Sequence, residues 1–163
     1  MNLLNKNTLL FSAVLAFTTG IFLVGAGSFG IIFTYKNIVQ EKIVTPADAN
    51  IPNKLVRGPF TLYAQAKIIR KHTLSTTGGK TFAEMPREIP KLDGNGIAMM
   101  DEKGNPILEL NKARDIWITA TTLITALNLG ILTYLFSGII LLIGLISIWT
   151  SLIFIQIHSG RKI

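Results

Sequence analysis

The chain has 163 residues and no cysteine, which excludes disulfides and thiolate chemistry. Its net charge is +7, and all nine acidic residues lie between Lys36 and Asp115, together with thirteen of the sixteen Lys and Arg. Because this middle part is an ordinary solvated mixture of charges, the basic excess does not indicate nucleic-acid binding and is better suited to anionic lipid headgroups.

An uncharged run from Thr8 to Tyr35 predicts a transmembrane helix over residues 8–35, preceded by an inner tail of residues 1–7. As a helix, this run is long enough to cross a hydrocarbon core of about 30 Å. A signal peptide has a shorter apolar core of roughly 7–15 residues, so the run is interpreted as an uncleaved anchor. Small residues at a spacing of seven predict a face for close helix packing, at Ala13, Gly20 and Gly27.

Residues 36–115 are predicted to form a small α+β segment outside the membrane. A helix is expected over about residues 60–76, because Gly78 and Gly79 follow it and favour a helix end. A β-hairpin is expected over about residues 96–110, where two apolar stretches flank the polar turn of residues 101–105. Since two strands bury little surface, the hairpin is expected to rest on a helix.

Basic side chains line the predicted central helix and the loop after it. A contact with lipid headgroups or with an acidic partner is one interpretation, and a solvated basic face is the other. The residues concerned are Lys67, Arg70, Lys71, His72 and Lys80. The loop from Thr77 to Thr81 is similar to the end of a phosphate-binding loop, but Leu74 stands where that motif requires its first glycine.

The last apolar run begins at Ile116 and carries no charge before His158. A hairpin of two spans turning near residues 136–138 is one interpretation. One continuous helix is favoured, because no proline or charge marks a turn and small residues again recur at a spacing of seven. This helix is expected to have an exposed first half at residues 116–133, a transmembrane part at residues 134–157 and an inner tail at residues 158–163.

The small residues of this last helix are Gly130, Ser137, Gly144 and Ser151. They are expected to face the small residues of the first helix. The short basic tails favour an inner-membrane protein with both termini inside and the middle segment outside.

The block from Val56 to Glu88, VRGPFTLYAQAKIIRKHTLSTTGGKTFAEMPRE, resembles a family of small, largely actinobacterial membrane proteins, and the stretch ITATTLITALNLG shares the resemblance. The resemblance implies two transmembrane helices around this block. Members often carry an automatic label of aromatic ring-opening dioxygenase, which this sequence contradicts because the iron-binding residues of such enzymes are missing. The sequence departs from the family in its insert at Lys91–Lys112 and in Ile124, near which members often carry arginine.

The fold class is therefore predicted to be a mainly α membrane protein with two transmembrane helices around a small α+β segment. A non-catalytic membrane-anchored interaction protein is the favoured function, an accessory subunit or envelope component that binds the bilayer and a membrane protein or a second copy through its small-residue faces. A homo-oligomeric small-solute conduit and a lipid-level enzyme using His72, Lys80 and Glu84 are the alternatives. Neither a catalytic constellation nor a cofactor or metal motif is found in the sequence, which has only two histidines.

Overall fold

The computed structural model describes residues 5–160, and most of these residues lie in α-helices. The helices are α1 (Lys6–Gln40), α2 (Pro59–Thr76) and α3 (Lys112–Gly160), with a short 3₁₀ helix at Phe82–Glu84 and two strands, β1 (Glu88–Pro90) and β2 (Leu108–Leu110). The described residues form two compact units. The first contains residues 5–43, 55–59 and 129–160, and the second contains residues 44–54 and 60–128.

Helices α1 and α3 are both long and apolar enough to cross a membrane. Helix α3 is continuous over 49 residues and passes through residues 136–138 without a turn, so the hairpin interpretation of the last apolar run is wrong. At a rise of about 1.5 Å per residue, α3 is roughly 74 Å long, more than twice a hydrocarbon core of about 30 Å. A single bilayer would therefore cover only part of it.

The first unit pairs α1 with residues 129–160 of α3 in antiparallel directions. Ala13 lies against Ser151, Gly20 against Gly144, and Gly27 against Ser137. Each step of seven residues forward in α1 thus matches a step of seven backward in α3, the repeat that gives a helix pair a left-handed supercoil. Within α3, the boundary between the two units falls at residues 128–129. It lies before residues 133–134, where the exposed half of this helix was predicted to meet its transmembrane part.

Except at Leu9, the side chains that the two helices of this unit bury are small, and large apolar side chains are exposed. Leu9, Ala13, Gly20, Gly27 and Thr34 are the buried residues of α1. Large exposed apolar residues cover the outer sides of both helices, among them Phe11, Phe22, Phe29, Leu135, Phe136 and Trp149. A water-soluble helix pair buries its large apolar residues, so this arrangement is the reverse of the soluble one.

The second unit packs α2 with the first part of α3. The predicted helix at residues 60–76 is present as α2, one residue longer at its start. Its buried residues include Leu62, Ala66 and Ile68, and α3 contributes the buried Trp117 and Ala120. The core of this unit is therefore small and mainly helical.

The predicted hairpin at residues 96–110 is only partly right. Met100 and Pro106 form a bridge around the expected turn, but the strand that pairs with Leu108–Leu110 is Glu88–Pro90 and not the stretch that begins at Gly96. A second tight turn at Asp93–Ile97 is closed by a backbone hydrogen bond of 2.8 Å between these two residues. This turn folds the segment before Asp93 back against the segment after Ile97. Two strands alone bury too little surface, and the structure adds a third segment.

We name residues 88–111 the β-module. Its three segments meet at Lys91, Met99 and Ile107, which are spaced by eight residues. Lys91 N–H donates to Ile107 C=O, Ile107 N–H to Met99 C=O, and Met99 N–H to Lys91 C=O, each at 2.8 Å. At these three residues each segment is hydrogen-bonded to both of the others, so none of the three has an open edge there.

The two turns of the β-module are copies of each other. In each, an aspartate side chain accepts hydrogen bonds from the backbone N–H groups two and four residues later, at Asp93 and again at Asp101. The fourth residue of each turn is a glycine at φ +79°, Gly96 and Gly104, a conformation that glycine adopts without steric cost. The eight-residue repeat of the β-module is therefore a repeat of one kind of turn, with an aspartate at its first position and a glycine at its fourth.

Candidate functional site

The small-residue faces predicted on α1 and α3 meet, and we call their contact the seam. A methyl group added to Gly27 would lie 2.7 Å from the backbone nitrogen of Leu141 and 2.8 Å from the carbonyl oxygen of Ser137. One added to Gly144 would lie 2.7 Å from the backbone nitrogen of Val24. At these positions backbone packs against backbone, which is how small residues let membrane helices approach closely.

Two serine hydroxyls add hydrogen bonds across the seam. Ser147 donates to the carbonyl of Ala16 at 2.8 Å, and Ser151, fully buried, donates to the carbonyl of Ala13 at 2.7 Å. Gly130, the remaining predicted seam residue, is half-buried. The seam residues are therefore used within one chain.

The loop that follows α2 holds the side chain of Trp117. Its indole N–H donates to the carbonyl of Lys80 at 2.7 Å and to the hydroxyl of Thr77 at 3.1 Å. Trp117 is only 4% exposed, and the guanidinium of Arg70 lies 5.7 Å from the centre of its ring. The residues that are similar to a phosphate-binding loop thus bind a side chain of their own unit.

The next residues of this loop are fixed in the same way. The carboxylate of Glu84 accepts hydrogen bonds of 2.7 Å from the backbone N–H and the hydroxyl of Thr81, which lowers its pKa below the ordinary value of 4.5. Arg114 stacks on the ring of Phe82 and donates to the carbonyls of Phe82 and Met85. Residues 77–85 are therefore attached to the first turns of α3.

The basic residues predicted as a contact surface are all exposed, but they do not form one cluster. His72 Nε2 lies 2.8 Å and Lys71 Nζ 3.3 Å from the same carboxylate oxygen of Asp48. The hydrogen bond to His72, followed by that to Lys71, lowers the pKa of Asp48 below 3.8. Arg70 is stacked on Trp117, which leaves Lys67 and Lys80 as the basic residues directed to solvent.

The structure does not bring together the three residues named for a lipid-level enzyme: the side chains of His72 and Glu84 have separate partners, and Lys80 is bound through its backbone carbonyl. His72 binds Asp48, Glu84 binds Thr81, and the Lys80 carbonyl binds Trp117. Within residues 5–160, no three His, Asp or Glu side chains come together as a group that could hold a metal ion.

The β-module exposes most of its large apolar side chains. Its large apolar side chains are exposed at seven positions: Leu92, Ile97, Met99, Met100, Ile107, Leu108 and Leu110. The module has five acidic and two basic residues, so the apolar surface has an acidic surrounding. It is attached at its base, where Asn111 donates through its backbone to Arg87 and through its side chain to Pro86.

Several residues that organise these surfaces carry no recognisable signal in the sequence. In the sequence, Trp117 falls in the predicted first half of the last helix, whereas Arg114 and Asp48 fall in the predicted extramembrane segment, and no motif marks any of the three. Phe60 and Tyr63 are both exposed at the start of α2. The sequence signal for them is two aromatic residues one helical turn apart on the predicted helix.

The chain matches no known family model, no curated protein and no solved structure. The resemblance of residues 56–88 to small bacterial membrane proteins stays a prediction.

Proposed function

We propose that the protein is a non-catalytic, membrane-anchored interaction protein whose β-module binds a protein partner. In this proposal α1 and the later part of α3 cross the inner membrane as an antiparallel pair. Both termini lie inside, and the middle segment lies outside.

The observation that carries the membrane anchoring is the reversed distribution of side-chain size in the first unit. Gly20, Gly27 and Gly144 form the contact between the helices, while large apolar side chains such as Phe22 and Leu135 face outward. Lipid chains solvate such an outer surface, whereas water would penalise it.

The choice of the β-module as the partner surface follows from the same packing. Because the seam is closed within the chain, its small residues are not available to a second helix. The β-module instead presents contiguous segments with seven exposed large apolar side chains, a feature typical of interaction sites. Its acidic surrounding disfavours an anionic bilayer and favours a partner protein with an apolar surface bordered by basic residues.

A photo-crosslinking experiment on the full-length protein in its native membrane tests this function. A photoreactive amino acid at Ile97 should give one dominant crosslinked protein, and the same group at Ser75, exposed on α2, should not. The partner should co-purify in stoichiometric amount with the wild type and be lost with Ile97→Asp or Met100→Asp. It should stay bound to Glu102→Gln, a control in a turn of the same module.

A partner that co-purifies equally with all four proteins would contradict the assignment of the surface. A wild-type protein that purifies alone or only with copies of itself, with no crosslink at Ile97, would contradict the interaction function itself.

A further inference from the structure

The first two turns of α2 present aromatic side chains that nothing in their unit covers. Phe60 is 81% exposed, the largest value for any large apolar side chain in the part of the chain that the structure describes. Tyr63, one turn later, is 58% exposed. An exposed aromatic pair on a helix that is otherwise well packed indicates a surface that something else covers.

Basic residues continue the same side of α2. With 3.6 residues per turn, Phe60, Tyr63, Lys67 and Lys71 fall within a sector of about 80°. Lys67 is exposed, and the Lys71 side chain is 66% exposed although it pairs with Asp48. Helix α2 contains no acidic residue, and Asp48 pairs with Lys71, so this side combines two aromatic rings with the solvent-directed charge of Lys67.

This side of α2 begins only a few residues after a segment that is hydrogen-bonded at the expected membrane boundary. Arg57, which belongs to the first unit, accepts a hydrogen bond of 2.8 Å at its carbonyl from the hydroxyl of Tyr134. Tyr134 is the residue expected at the start of the transmembrane part of α3. Phe60 follows Arg57 by only three residues, which is at most about 11 Å of extended chain.

We propose that this side of α2 docks on the anionic headgroup layer of the membrane that α1 and α3 cross. Phe60 and Tyr63 reach the boundary with the acyl chains, where aromatic side chains are favoured, and Lys67 pairs with a lipid phosphate. This inference rests on the proposed membrane anchoring. It assigns the acidic β-module to a protein partner and the basic side of α2 to lipid.

Single cysteines carrying an environment-sensitive fluorophore test the docking in the full-length chain, which has no cysteine of its own. The labelled variants Phe60→Cys, Tyr63→Cys and Thr76→Cys are reconstituted in phosphatidylcholine vesicles with and without phosphatidylglycerol. A nitroxide placed on the lipid just below the headgroup should quench the probes at 60 and 63 in the anionic vesicles. Thr76, which is exposed on the opposite side of α2, should stay unquenched.

The charge requirement is tested on the Tyr63→Cys background. Lys67→Gln should lower the ratio of docked to undocked α2 roughly fivefold, the effect of one basic residue at an anionic surface. Lys103→Gln, an exposed lysine of the β-module, should leave the ratio unchanged.

A probe at Phe22→Cys, on the exposed side of α1, separates failure of the docking from failure of the anchoring. Quenching at 22 by a nitroxide deep in the acyl chains, with probes at 60 and 63 no more quenched than the probe at 76, would overturn the docking alone. Absence of quenching at 22 would overturn the membrane anchoring and the docking with it.

Discussion

Gly20 and Gly144 pack backbone against backbone. A methyl group added to Gly20 would lie 2.9 Å from the carbonyl oxygen of Gly144, and one added to Gly144 would lie 3.0 Å from the carbonyl oxygen of Gly20. The contact is therefore reciprocal and requires the absence of a side chain on both helices. It is the centre of the antiparallel register that runs from Ala13–Ser151 to Gly27–Ser137.

Alanine at the centre of the seam should separate the two helices. Gly20→Ala and Gly144→Ala are each expected to lower the free energy of unfolding of the helix pair by about 1–3 kcal/mol, because the added methyl group meets backbone atoms that have no room to move. Reversible unfolding in detergent micelles, followed by energy transfer between dyes on α1 and α3, measures the change.

The same two helices supply matched controls for this prediction. An added methyl group would meet nothing within 4 Å at Gly25 in α1 or at Gly138 in α3. Gly25→Ala and Gly138→Ala should therefore be neutral or stabilising, since alanine is favoured over glycine in a helix by about 1 kcal/mol. Equal destabilisation by all four substitutions would show that the seam does not hold the pair together.

Removal of the indole donor should loosen the loop that follows α2. Trp117→Phe keeps an aromatic ring but removes the 2.7 Å hydrogen bond to the Lys80 carbonyl, which then accepts only from the Thr77 hydroxyl, at a cost of about 0.5–1.5 kcal/mol. Hydrogen exchange of residues 77–80 should become faster, and trypsin should cleave after Lys80 more readily. Trp149→Phe is the control, because Trp149 is 66% exposed on α3, and an equal effect of both variants would contradict this role of Trp117.

The contact between residues 44–54 and α2 should depend on pH through Asp48. Its pKa is lowered from 3.8 by the hydrogen bond to His72 and then by that to Lys71. A carboxylate with a lowered pKa in the folded state stabilises that state above its unfolded pKa, and this contribution disappears as the pH falls through the folded value. The contact should therefore be fully formed near neutral pH and weaken below about pH 4.

Amide exchange of residues 44–54, measured between neutral and acidic pH, tests this expectation. Asp48→Asn should show faster exchange already at neutral pH and little further change on acidification. Glu41→Gln, which changes an exposed carboxylate outside this loop, should behave as the wild type does. A wild-type loop whose exchange follows only the intrinsic pH dependence would count against the role of Asp48.

The sequence was sufficient to predict the parts of the fold that depend on periodicity. The spacing of seven at Gly20 and Gly27, and again at Ser137 and Gly144, is a local pattern that is meaningful only if a second helix lies against it. The absence of a proline or charge near Ser137 similarly predicted a continuous α3, which the structure confirms.

Contacts between distant residues were not predictable in this way. Asp48 and His72 are 24 residues apart, and Trp117 reaches Lys80 across 37 residues, with no pattern linking either pair. The cycle of Lys91, Met99 and Ile107 is made of backbone hydrogen bonds, which side-chain patterns do not encode. The predicted hairpin at residues 96–110 includes only the turn at Asp101, whereas the structure has an equal turn at Asp93 that brings Glu88–Pro90 to Leu108–Leu110.

The central claim is that α1 and α3 cross the membrane as one pair and leave the β-module on the side opposite to the end of α3. Cysteines introduced at Asn95, in a turn of the β-module, and at Ser159, at the end of α3, report on it directly through a membrane-impermeant maleimide in intact cells. The account predicts labelling of Asn95→Cys in intact cells and of Ser159→Cys only after permeabilisation. The reverse pattern would contradict the orientation alone, whereas identical behaviour of the two variants would place both segments on one side and contradict the claim itself.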